Sequence, residues 1–111
     1  MDIYNFLYIT RKYNPNLKSD ELKNNIEVYY KNAINFFYSI KKEDYNINYF
    51  LLTNNKNYLT KNFNQPQNFK IINIPFHTKV PKNINFYSTH FKIDVFHYLS
   101  KKKNYSFLID L

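Results

Sequence analysis

What most limits the fold of this chain is an alternation. Short runs of β-branched and aromatic residues are separated by segments whose apolar positions recur at helical spacing. Residues 3–10 (I-Y-N-F-L-Y-I-T), 48–53 (N-Y-F-L-L-T) and 69–74 (F-K-I-I-N-I) are runs of the first kind, each followed by Pro, Asn or basic residues that end a strand. Between the first two, Leu22, Ile26, Tyr30, Ala33, Phe37 and Ile40 keep the 3.6-residue period of a helix. Ser19 opens that helix, Asp20 and Glu21 fall in its first turn where the dipole favours acids, and Lys41-Lys42 close it. Asn24-Asn25 predicts an interruption before the well-packed part. Tyr58 and Leu59 predict a short helical turn ahead of the Asn- and Gln-rich loop 62–68.

The last quarter repeats the pattern. Ser88 or Thr89 can accept from the free N–H groups of a first helical turn, and Phe91, Val95, Tyr98 and Leu99 then form one apolar stripe. Lys101, Lys102 and Lys103 sit where a helix end favours cations. Phe107-Leu108-Ile109 is a continuous apolar run, the pattern of a strand covered on both faces, and Asp110 follows at once. The order is β-α-β-(α)-β-loop-α-β. Strands alternating with helices imply a parallel sheet with right-handed crossovers. The expected fold class is therefore α/β, a Rossmann-like parallel sheet of about four strands with flanking helices, in a single domain spanning 1–111.

Composition narrows the function classes. A chain of 111 residues with 44% hydrophobic and 21% aromatic content has the material for a packed core and is not a disordered segment. With no Cys, neither a disulfide framework nor a thiolate metal site is possible. Without Gly there is no P-loop and no Gly-x-Gly-x-x-Gly turn. No run of about 18 apolar residues spans a membrane, and no secretory signal precedes the first strand, so a cytoplasmic address is expected. The net charge of +8 points toward an anionic partner. Much of that excess has a plainer source: Lys, Asn, Ile, Tyr and Phe dominate while Gly and Trp are missing, which is the mark of AT-rich coding.

In a parallel α/β sheet, ligands bind beyond the carboxyl ends of the strands. Those ends are residues 10–13, 53–55, 75–77 and Asp110. The histidines make a poor metal site, because His90 and His97 are seven residues apart, two helical turns, and His77 stands alone in a loop.

The stretch Tyr87-Ser88-Thr89-His90-Phe91-Lys92-Ile93-Asp94, followed by Phe107-Leu108-Ile109-Asp110-Leu111, resembles the middle of a GT-A glycosyltransferase. In that family a helix bearing a basic residue leads into a strand of the type hydrophobic-hydrophobic-hydrophobic-Asp-x-Asp. Here the first acid of the pair is present and the second would be residue 112. The resemblance implies a nucleotide-sugar-binding half-domain that hands a hexose from a UDP-type donor to a glycan or lipid-linked acceptor. It implies Asp110 as ligand to Mn²⁺ or Mg²⁺ or to the ribose, Lys92 as a diphosphate contact, and Thr10 with Tyr13 in the base pocket. A lipid-linked acceptor would bring the protein to the inner membrane surface. Ending within the motif, the chain reads as an incomplete, truncated domain with no catalytic residue of its own, expected to bind nucleotide weakly and to transfer nothing alone. From another class, a small basic module binding nucleic acid or a protein partner fits the charge and the aromatic content. The scattered lysines and core-facing rings argue against it.

Overall fold

The computed structural model describes residues 1–9, 19–43, 46–75, 92–102 and 106–109, with side chains from Ile26 onward in the first helix. Strands and helices alternate as β1 (Asp2–Leu7), α1 (Ser19–Glu43), β2 (Asn48–Thr53), α2 (Lys56–Asn62), β3 (Lys70–Asn73), α3 (Lys92–Ser100) and β4 (Ser106–Leu108). The four strands form one sheet in the order β3-β2-β1-β4, and every pairing is parallel. The α/β class and the all-parallel four-stranded sheet expected from the alternation are both present.

Side chains on a strand point alternately to the two faces, and each face here has its own core. Ile3 and Leu7 of β1, Tyr49 and Leu51 of β2 and Ile71 of β3 pack under Ile26, Tyr30, Ala33 and Phe37 of α1 and Leu59 of α2. The helical period read from the sequence is thus the buried stripe of α1. Rings fill this core: Phe37 meets Phe69 edge to face at 5.4 Å between centroids and Tyr49 at a tilt at 5.5 Å. On the other face Tyr4, Leu52 and Ile74 pack against Val95 of α3, with Phe50, Tyr98, Leu99 and Leu108 around them. Helices therefore cover both faces of the sheet. Among the described residues, no helix is long and apolar enough to cross a membrane.

Three details depart from the expectations. α1 runs unbroken through Asn24-Asn25 for 25 residues, since two middling helix formers do not outweigh a stripe buried along the following four turns. The turn at Tyr58-Leu59 is a seven-residue helix, started by Asn55, whose side chain accepts from the Tyr58 N–H at 3.1 Å. The third concerns β4, which lies at the sheet edge among the described residues rather than covered on both faces. Phe107 is 50% and Ile109 37% exposed, and only Leu108 is turned toward a helix. An apolar run reads the same whether one face or two are buried. In a chain without glycine, Asn68 supplies the left-handed residue of the turn before β3, with φ at 67°. The predicted loop 11–16, the loop 76–85 and the caps Ser88 and Thr89 lie outside the described residues.

Candidate functional site

From β1 the chain crosses the sheet in one direction, through β2 to β3, and then returns to place β4 on the opposite side of β1. The order reverses between β1 and β4, and in open α/β sheets such a point is where ligands bind, beyond the carboxyl ends of the strands. Parallel strands joined through helices also require each helix to begin at that end of the sheet and run back. The first residues of α2 and α3, Lys56 and Lys92, are therefore brought to the end where β1, β2 and β4 finish.

Asparagines organise this end. Ile9, just past β1, has both backbone groups held by one side chain: its N–H donates to Asn54 Oδ1 at 2.7 Å, and Asn54 Nδ2 donates to its carbonyl at 2.8 Å. A primary amide carries a donor and an acceptor side by side, so it can pair with a peptide as a neighbouring strand would. Thr53, wholly buried, accepts from the Asn55 N–H at 3.3 Å through its hydroxyl. The side chain of Asn73, at the end of β3, accepts from the Lys56 N–H at 3.0 Å. The tips of β1, β2 and β3 are in this way tied together without the use of a charge.

Deeper between β1 and β4 sits Asn5, with no exposed surface. Its Nδ2 donates to the Ile109 carbonyl at 2.6 Å, and its Oδ1 accepts from the Tyr49 hydroxyl at 2.6 Å. A carbonyl can only accept, so the amide nitrogen must face Ile109 and the oxygen must face Tyr49. That obliges Tyr49 to donate. Burial, reinforced by nearby Tyr30, holds the Tyr49 phenol protonated far above the ordinary tyrosine range. The Ile109 N–H in turn donates to the Tyr4 carbonyl at 2.9 Å, which extends the β1–β4 ladder by one residue.

Of the four residues expected at the site, Lys92 is described: it is half-buried and opens α3. Thr10, Tyr13 and Asp110 lie outside the described residues, though Ile9 and Ile109, which adjoin two of them, are described. Sequence reasoning placed Asn54 among the strand-end residues but passed over Asn5, Tyr49 and Lys56. For Asn5 a signal existed, because an amide between Tyr4 and Phe6 in a strand buried on both faces must find partners there. For Lys56 none did, since polar residues after a strand are the rule.

No group of three or more His, Asp or Glu that could hold a metal ion occurs among the described residues. Hard divalent cations take six or more oxygens, with carboxylates among them. The described donors at this end are amides already engaged with the backbone, so they do not form a metal cage. A groove of about 510 Å³ lies elsewhere, along the outer edge of β3, lined by Phe50, Lys56, Thr60, Lys70 and Ile72 among others. Lys70 there lies over the Phe50 ring, 5.4 Å from its centre. No protein-family model, curated protein or solved structure matches this chain.

Proposed function

We propose that this chain binds the nucleoside diphosphate part of a nucleotide sugar, of UDP type, in the crevice between the carboxyl ends of β1 and β4. On this reading it is the nucleotide-binding part of a GT-A-like glycosyltransferase, whose acceptor would be a glycan or a lipid-linked glycan. The observation that carries the reading is the strand order β3-β2-β1-β4 in an all-parallel sheet. It makes β1/β4 the switch point, with β4 ending at Leu108 opposite Tyr4 and β1 running on to Leu7 along the same edge.

Each expected residue has a chemical part in the proposal. Lys92 opens α3 at this end, where the helix dipole adds partial positive charge, and favours a diphosphate over a neutral sugar. Thr10 and Tyr13 would receive the base, and the Asp110 carboxylate would accept from the ribose hydroxyls. Mn²⁺ or Mg²⁺ enters the proposal only through Asp110 as a single ligand, and no step is assigned to it.

Calorimetry tests the proposal directly. UDP is titrated with and without Mn²⁺, against a single-stranded oligonucleotide at two salt concentrations. The expected result is UDP binding that weakens in Asp110→Ala and Lys92→Ala, with folding confirmed by circular dichroism. Oligonucleotide binding that falls steeply with salt, with no heat from UDP, would replace this reading by the nucleic-acid module.

A further inference from the structure

The buried amide of Asn5 joins two strands to the residue that follows a third. It belongs to β1, receives its hydrogen bond from Tyr49 of β2, and gives its own to the carbonyl of Ile109, the residue after β4. Neither side chain is exposed enough to meet a ligand: Asn5 has no exposed surface and Tyr49 is 2% exposed, while Ile109, beyond β4, is 37% exposed. We propose that Asn5 is a positioning residue for the nucleotide crevice. Oriented by the Ile109 carbonyl, which can only accept, and braced by the Tyr49 hydroxyl, it fixes the peptide group by which the chain leaves β4, and so governs nucleotide affinity there. The inference rests on the function proposed above and adds to it a named control point that does not touch the ligand.

The physical case is one of geometry and of alternatives. β4 is three residues long and pairs with β1 through the short register from Asp2↔Ser106 to Tyr4↔Leu108. So short an edge strand has few bonds to hold its end in place, and the next two after that register are the Ile109 N–H to Tyr4 and the Asn5 amide to the Ile109 carbonyl. A peptide group is planar, so holding its oxygen holds its plane. Were Asn5 a mere space filler, Leu would serve better in a strand whose neighbours are Tyr4 and Phe6. Were it a generic buried amide, its orientation would not be dictated. Here a carbonyl on one side and a protonated phenol on the other dictate it fully.

Asn5→Asp is the decisive variant. The carboxylate keeps an acceptor for Tyr49 but loses the donor to Ile109, at nearly unchanged volume. Tyr49 is the titratable group against position 5, and burial keeps it protonated. Burial disfavours the carboxylate, so the comparison starts at a pH high enough to ionise it. There the variant should bind UDP about tenfold more weakly than the wild type, the worth of one buried hydrogen bond. As the pH is lowered, the carboxyl takes up a proton and regains one O–H donor. The gap to the wild type, titrated at the same pH, should then close. A loss of packing alone would show no such recovery. If Asn5→Asp does not fold, Tyr49→Phe takes its place: it removes the bond that braces the amide oxygen and should weaken UDP about threefold, the low end of the same hydrogen-bond range. A wild type that binds UDP with a folded Asn5→Asp that binds it equally, or whose deficit ignores pH, overturns the positioning role alone. A wild type that ignores UDP overturns the function proposed above and this inference with it.

Discussion

Alkali should unfold this protein through its buried tyrosines, and Tyr49 allows the size of the effect to be worked out. Its ring is 2% exposed, and its hydroxyl is committed to Asn5. In the unfolded chain the phenol loses its proton near pH ~10, whereas in the folded chain burial keeps the proton on well above that. Above pH ~10 the unfolded state therefore holds fewer protons than the native state. Stability is fully present below that pH and falls above it, by about 1.4 kcal/mol per pH unit for this one group. Tyr4, raised chiefly by burial and then by Asp2, and Tyr30, raised by burial, bend the curve the same way over their own shifted ranges. By pH ~12 Tyr49 alone removes about 3 kcal/mol, a large part of the roughly 5–15 kcal/mol that holds a domain folded. Urea unfolding followed by circular dichroism at stepped pH measures the slope, with tyrosinate absorbance read in parallel. Tyr49→Phe is the control. It should begin about 1–3 kcal/mol less stable, because Asn5 loses its donor. Above pH ~10 it should then decline less steeply, by one group's worth. Lysine deprotonation is common to both proteins and drops out of the difference. Equal slopes in the two would refute the reasoning.

Two further outcomes follow from the packing. Leu52→Ala, at a wholly buried position beneath α3, should cost about 2–5 kcal/mol in urea unfolding, while Phe107→Ala at the half-exposed edge should cost less than ~1; equal losses would mean that the outer face of β4 is covered in solution. Asn54→Ala should speed hydrogen exchange at the Ile9 amide about tenfold or more by removing its partner, and unchanged protection there would show that the two-point bond does not hold the end of β1.

Much of the framework was legible because periodicity reports burial directly. Asn48–Thr53 emerges as a strand with the bounds its composition suggested, and the stripe Ile26, Tyr30, Ala33, Phe37 is the face that α1 buries. Neighbour identity in the sheet was less legible. Phe107-Leu108-Ile109 reads as an interior strand because apolarity records a preference for burial, and an edge position with an uncovered ring leaves no mark on it. The site was legible only as an end of the sheet. Lys92 was singled out through the resemblance to a family helix bearing a basic residue, while Lys56 looks like any residue after a strand. Asn5, an amide in an apolar run, was passed over, and that its partner would be Ile109, 104 residues away, depended on strand order, which pattern alone does not contain.

That long reach has a kinetic meaning. β1 pairs with β2 across a single helix, so this unit can close early on local contacts, but its second seam has to await a strand from the far end of the chain. Closing so large a loop adds only a few kcal/mol of entropy, growing slowly with length, yet it places the step late and makes folding slower than the helical content suggests. Until then one margin of β1 stands open, with Tyr4 and Phe6 beside it. A newly made chain would therefore pass through a stage competent to recruit a foreign strand, which makes the docking of β4 the step that commits the molecule to staying alone.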